Sequence, residues 1–167
     1  MTNIAQHAFN TQNKVTVLSD GSKLFSSDFD SKCKFDIHRF DQIKFLRKRI
    51  KSSFAQNFLN KNKIDIIFFD SWKSLELFNN TTDIKKICLV HGNEILKLRN
   101  KHRILNSLNK VDLIIYNSQF TKNKTFKNFK NLKKIEHTVI YPAFINKIFK
   151  SKINKKKYDL CTVAILE

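Results

Sequence analysis

Two rhythms of apolar and polar positions alternate along this chain, and their succession is that of strands followed by helices. From residue 3 to 12, Ile4, Ala5, Ala8 and Phe9 share one face at helical spacing, which predicts a first helix ended by Asn13 in a left-handed conformation. Val15, Val17 and Leu18 predict a strand over 14–18, closed by the turn residues Ser19-Asp20-Gly21-Ser22. Residues 23–32 are Ser/Asp-rich and read as loop, and Phe35 and Ile37 alternate within a weaker strand over 34–38. Over 41–60, Ile43, Leu46, Ile50, Phe54 and Phe58 recur at helical spacing and predict a long helix with these residues inward. Its other face carries Lys44, Arg47, Lys48, Arg49 and Lys51, most simply a solvated face, with a membrane or polyanion surface as the alternative.

The second half is more regular. Ile64–Phe69 is a largely apolar run ending in Asp70-Ser71-Trp72, before a short helix expected over 72–79. Lys85–His91 contains the unbroken run Ile87-Cys88-Leu89-Val90, as a parallel strand buried on both faces requires. A helix over 94–109 follows, with Ile95, Leu98, Leu105 and Leu108 inward. Asp112–Tyr116 is a further strand, after which Asn117 or Ser118 is placed to cap a helix over 119–130. Ile135 opens a strand that runs through Val139 and Ile140 to Tyr141-Pro142. The basic, polar stretch 147–157 reads as a linker, and Leu160–Ile165 as one more strand.

Strands alternating with helices, and apolar on both sides, specify an α/β fold with a parallel sheet and helices on both faces. In such sheets ligands bind beyond the carboxyl ends of the strands. Four polar turns fall at that edge: Gly21-Ser22, Asp70-Ser71-Trp72, His91-Gly92-Asn93-Glu94 and Asn117-Ser118-Gln119. The last three adjoin helix starts, where free N–H groups and the helix dipole favour an anion or sugar hydroxyls. Gly92 is one of only two glycines, which suggests a backbone that needs positive φ or close approach to a ligand. Neither a phosphate-binding P-loop nor a G-x-G-x-x-G is present, which argues against an NTPase and against a stand-alone dinucleotide enzyme.

Composition adjusts this picture only slightly. At 167 residues the chain is long enough for one domain with a real core, and 16 Phe can fill it. Net charge is +18, from 32 Lys+Arg against 14 Asp+Glu. Such a balance suits nucleic acid or an anionic membrane. But the cations are overwhelmingly Lys, accompanied by heavy Asn, Ile and Phe, as an AT-rich coding sequence would also produce, so the charge says little about partners. Cys33, Cys88 and Cys161 are odd in number and far apart, so neither a disulfide framework nor a metal site is expected, and a reducing cytoplasm is the default. No apolar run approaches a membrane span and the N-terminus does not resemble a signal peptide.

The succession Asp65–Trp72, Leu89-Val90-His91-Gly92-Asn93-Glu94, Val111–Thr121 and Val139-Ile140-Tyr141-Pro142 resembles the amino-terminal domain of family 4 glycosyltransferases of the GT-B fold. The resemblance covers nearly the whole chain and about half of the family's usual length. It implies a Rossmann-like domain over 1–146, the linker 147–157, and in 158–167 the first strand of a second domain. It also implies a retaining sugar transfer from a nucleotide-sugar co-substrate to a glycan or lipid-linked acceptor, with no cofactor and no obligatory metal. Carried over by position, His91 is the histidine near the transferred sugar, there to polarise a hydroxyl or stabilise charge on the departing phosphate. Gly92, Asn93, Glu94, Asp70, Ser71, Trp72, Asn117 and Ser118 form the substrate-binding edge; Asp70 stands where relatives often carry His, which leaves the acceptor class open. Relatives begin with a strand before the first helix, so the expectation is a sheet lacking its central strand, between 14–18 and 64–69, and a chain inactive on its own. The implied location is the cytoplasm, with peripheral contact to an anionic membrane; nucleic acid is not the expected partner.

Overall fold

The computed structural model of the protein describes residues 2–22, 28–76, 78, 83–95 and 98–142. Helix α1 spans Thr2–Asn10, strand β1 Thr16–Asp20, strand β2 Asp36–Phe40 and helix α2 Lys44–Lys61. Strand β3 is Ile66–Phe69, β4 Lys85–Val90, β5 Leu113–Tyr116 and β6 Glu136–Val139. Helix α3 (Gly92–Ile95) and helix α4 (Lys101–Leu108) lie between β4 and β5, and helix α5 (Gln119–Asn128) follows β5. Among the described residues all strand pairs are parallel, in two sheets ordered β1-β2 and β3-β4-β5-β6. The fold is a Rossmann-like α/β fold, its parallel sheets flanked by helices. Among the described residues no helix is long and apolar enough to cross a membrane.

The main core lies on one face of the four-stranded sheet. Phe69, Cys88, Val90, Ile114 and Tyr116 point from the strands into a layer containing Trp72, Leu75, Ile95, Ile104, Leu108, Phe129 and Leu132. Alternate residues Phe68, Ile87, Leu89, Leu113 and Ile115 are only half-buried. Topology accounts for this difference. β3 to β6 are neighbours in chain order, so right-handed crossovers carry each of their connections over the same face.

Among the described residues the strands form two separate sheets, β1-β2 and β3-β4-β5-β6. Helix α2 spans the division. On one flank Phe54 and Phe58 stack together and pack on His38, with Phe54 also edge-on to Phe40. On the other, Ala55 and Leu59 pack against the core of the four-stranded sheet.

Several expected boundaries shift. β1 and β2 begin two residues later than the alternation implied. The first helix is ended by Gln12 at φ 66 rather than by Asn13, whose side-chain amide donates to Ala8 O at 3.0 Å. Part of the expected loop 23–32 is a helical turn over 28–31. The helix expected over 72–79 is a single 3-10 turn, Trp72–Leu75, and the one expected over 94–109 divides into α3, a 3-10 turn at Leu98–Asn100, and α4. α2 departs most from expectation: Ile43 is 72% exposed, and Leu46 and Ile50 are exposed as well. Its first half is held by charge instead. Arg47 (3.3 Å) and Lys51 (2.6 Å) clamp Asp20 at the end of β1, and Lys48 pairs with Glu76. The cluster read as a solvated basic face is therefore largely consumed by internal ion pairs. The expected linker 147–157 and strand 160–165 lie outside the described residues.

Candidate functional site

Because β3, β4 and β5 are adjacent and parallel, their carboxyl ends bring three polar turns to one edge. At the end of β3, Asp70 Oδ1 accepts from Ser74 Oγ at 3.0 Å, and Ser71 caps the 3-10 turn by accepting from Lys73 N at 3.3 Å. Ser71 Oγ also donates to Glu94 Oε2 at 2.5 Å, while Lys73 Nζ pairs with Glu94 Oε1 at 3.1 Å. The first and second turns are thus tied together through the Glu94 carboxylate.

At the end of β5, Ser118 is the N-cap of α5 and accepts from Thr121 N at 3.1 Å. Thr121 Oγ1 donates to Asn117 Oδ1 at 2.9 Å and lies 2.9 Å from Ser118 Oγ. Thr121 is 3% exposed and forms the hub of this turn. It also explains Gly92, whose φ is not positive. A Cβ at position 92 would sit 3.3 Å from Thr121 Oγ1, so glycine lets α3 pack against α5. The close approach expected of this glycine is made to the protein's own helix.

His91 ends β4 between these two networks. Its imidazole is exposed and, among the described residues, has no hydrogen-bond or ion-pair partner. Asn93 and Asp70 are exposed beside it in the fold's order, and Ser71, Glu94, Asn117 and Ser118 are half-buried. Eight of the nine expected site residues therefore reach this edge with some surface to offer. Trp72 does not. It is 1% exposed, its ring is part of the core, and Lys73 and Arg103 lie over its face. A large aromatic at the first position of a turn is drawn inward by the area it buries.

Three helix starts were read as sites for an anion, yet two of them open single turns of four residues, too short for an aligned dipole. Only α5, with ten residues, is long enough.

Two buried groups behind the edge are held neutral. Burial pushes the Cys88 thiol well above its ordinary range, and the charges of Asp70 and Glu94 add to this. Burial likewise raises the Tyr116 phenol, whose hydroxyl has no partner among the described residues. Neither is available as a nucleophile or base at neutral pH. Chemically, the edge offers one free imidazole, a carboxylate and primary amides, a set suited to hydrogen-bonding hydroxyl groups. Ser71 Oγ is committed to Glu94, so no serine–histidine pair forms here. Among the described residues no three His, Cys, Asp or Glu side chains come together as a metal site.

The sequence reading missed Thr121, Lys73 and Ser74. Thr121 had a visible signal, because a hydroxyl three residues after a serine N-cap sits where capping side chains reach back. Lys73 had none, since its pairing with Glu94 depends on the crossover between β3 and β4, whereas Ser74 lies within local reach of Asp70, four residues before it. Comparison with protein-family models, with curated proteins and with solved structures finds no match for this chain.

Proposed function

We propose that this chain forms the acceptor-side half of a retaining glycosyltransferase site. The observation that carries the reading is the convergence of three polar strand ends on one edge, with a free, exposed His91 at the centre strand. On this reading Asp70, Asn93, Asn117 and Ser118 hydrogen-bond acceptor hydroxyls. Glu94, fixed by Ser71 and Lys73, holds the wall in shape. His91 then polarises a sugar hydroxyl or stabilises charge on the leaving phosphate of a nucleotide-sugar co-substrate. That donor is held mainly by a second Rossmann-like domain, and the edge around His91 supplies the acceptor side. Glycan-array binding by the intact chain, lost on His91→Ala while the fold is kept, is the expected result. Glycan binding indifferent to His91 contradicts the reading.

A specific surface supports the further reading that the chain rests on an anionic membrane to reach a lipid-linked acceptor. Ile43, Phe45, Leu46 and Ile50 are exposed along the first half of α2, next to Lys44 and Arg49. Apolar side chains flanked by cations suit the headgroup boundary. Arg47, Lys48 and Lys51 are engaged internally and are poor probes of it. Phe45→Asp combined with Lys44→Glu should abolish flotation with vesicles containing phosphatidylserine; undiminished flotation excludes this face. The same internal pairing weakens the alternative of a purely nucleic-acid-binding module, because it removes cations from the long helix.

A further inference from the structure

We propose that the groove between α5 and the 3-10 turn Lys130–Lys134 is a binding site for a small ligand carrying two or more linked phosphates. Its walls are Asn123, Phe126, Lys127, Lys130 and Lys133, around a volume of about 400 Å³. The charge of the whole chain does not single this place out, since lysine is spread through nearly every segment. The local arrangement does. Between Asp112 and Glu136 the chain holds six lysines and no carboxylate. Elsewhere cations such as Lys48, Lys51 and Arg103 are held by Asp or Glu. Among the described residues Lys127, Lys130 and Lys133 have no ion-pair or hydrogen-bond partner. Like charges that converge without a carboxylate repel one another, so an anion placed among them is attracted by all at once.

The groove is fixed from beneath. Phe126 is half-buried and meets the Tyr116 ring edge-on at 5.7 Å and the His137 ring at 4.8 Å. Leu132, buried between Lys130 and Lys133, anchors the turn, with Leu132 N donating to Phe129 O at 3.1 Å and Ile135 N to Leu132 O at 3.2 Å. The cations gather over the same ring. Lys122 Nζ from α5 and Lys133 Nζ from the turn each lie 5.9 Å from its centroid, so they stand within about 12 Å of each other. That is comparable with the screening length of about 10 Å in 0.1 M salt, and their fields overlap in the groove.

The neutral wall selects the same sign of ligand. Asn123 Oδ1 accepts from Gln119 Nε2 at 2.8 Å, which leaves the Asn123 amide N–H groups as donors. The groove thus offers ammonium groups, amide donors and a ring, and no carboxylate lines it. Lysine binds phosphate as a point charge, and several lysines along one groove match a ligand whose charge is spread over neighbouring phosphates. The volume has room for a diphosphate and part of its carrier. A concave wall with its ring half-buried differs from the protruding apolar face that enters a bilayer. Nucleosides and lipid tails both carry diphosphates, and the phosphate chemistry is common to the two. This inference does not depend on the sugar-binding reading.

Calorimetric titration of the intact chain with inorganic pyrophosphate at low salt tests it. Saturable binding is expected, at least about 10-fold tighter than that of sulfate at the same ionic strength. Lys130→Met combined with Lys133→Met should weaken it at least about 10-fold. Lys124→Met combined with Lys134→Met removes equal charge outside the groove and should stay within about two-fold. All four lysines are exposed, so neither variant disturbs the core. Absence of saturable binding overturns the proposal, as does binding no tighter than that of sulfate. Equal losses in the two variants also overturn it, since the charge of the whole chain is then responsible. A single-stranded oligonucleotide that binds where pyrophosphate fails overturns it too, and assigns the lysines to a phosphodiester chain. Adenosine diphosphate and farnesyl diphosphate, titrated in parallel, separate the carriers: tighter binding of either than of pyrophosphate supports the proposal and names the source.

Discussion

Lys110 offers a quantitative test of how the crossover beneath the candidate site is held. Its ammonium donates to three backbone carbonyls, Leu75 O at 3.2 Å, Glu76 O at 3.4 Å and Phe78 O at 3.0 Å. All three protons are spent on carbonyls at the end of the Trp72–Leu75 turn, of which Leu75 O also accepts from Phe78 N at 3.1 Å. Lys110→Met keeps most of the aliphatic stem and removes only the charge and its donors. A net hydrogen bond contributes about 1 kcal/mol, and more from a charged donor. Lys110 is half-buried, so water recovers part of the loss. The expected destabilisation is about 2 kcal/mol. With a urea slope near 2 kcal/mol/M, the unfolding midpoint falls by about 1 M. Lys130→Met, on an exposed lysine, is the control and should stay within about 0.5 kcal/mol. A Lys110→Met midpoint that matches this control refutes the reasoning.

Gly92→Ala should gain up to about 1 kcal/mol of helix propensity and lose a similar amount against Thr121 Oγ1, which two hydrogen bonds hold in place. The readout is the cycle with Thr121→Ala: a coupling of about 1 kcal/mol is expected, and additivity contradicts the packing account. Glu76 is a carboxylate that burial alone would raise, but bonds from Arg103 and Lys48 outweigh burial and hold it below its ordinary value of 4.5. A depressed carboxylate stabilises the fold above that value and loses the contribution as pH falls through the folded pKa. Glu76→Gln should therefore lower stability at pH 7 and flatten the acid limb below about pH 4.5; an unchanged acid limb counts against the triad. Tyr116 has its pKa raised, so its fold is favoured while the phenol is protonated and loses stability once pH passes the ordinary 10.0. Tyr116→Phe should cost little at pH 7 and reduce the alkaline loss; a cost above about 2 kcal/mol would reveal a partner for the hydroxyl.

The three central strands were legible because each is an apolar run ended by polar residues. Ile66–Phe69, Lys85–Val90 and Leu113–Tyr116 all fall within the predicted spans. β1 and β2 were placed less well, since a short alternation defines a strand's phase better than its ends. Periodicity also described α2 without saying what its stripe meets: Phe54 and Phe58 find rings, whereas Ile43, Leu46 and Ile50 face solvent. The candidate edge was legible as a set of strand ends. Its wiring was not, because the pairing of Ser71 with Glu94 and the packing of Gly92 on Thr121 join residues more than 20 positions apart. Trp72 was misplaced for a related reason, since position after a strand does not reveal that a ring turns inward.

The central claim is that the edge around His91 receives sugar hydroxyls. A ¹H–¹⁵N titration of the intact chain with a glycan selected on the array tests it most directly. Saturable shifts at His91, Gly92, Asn93 and Asn117 are predicted, with β6 and the second half of α2 unmoved. Shifts confined to the basic groove of Phe126, Lys127, Lys130 and Lys133, with His91 silent, would contradict it.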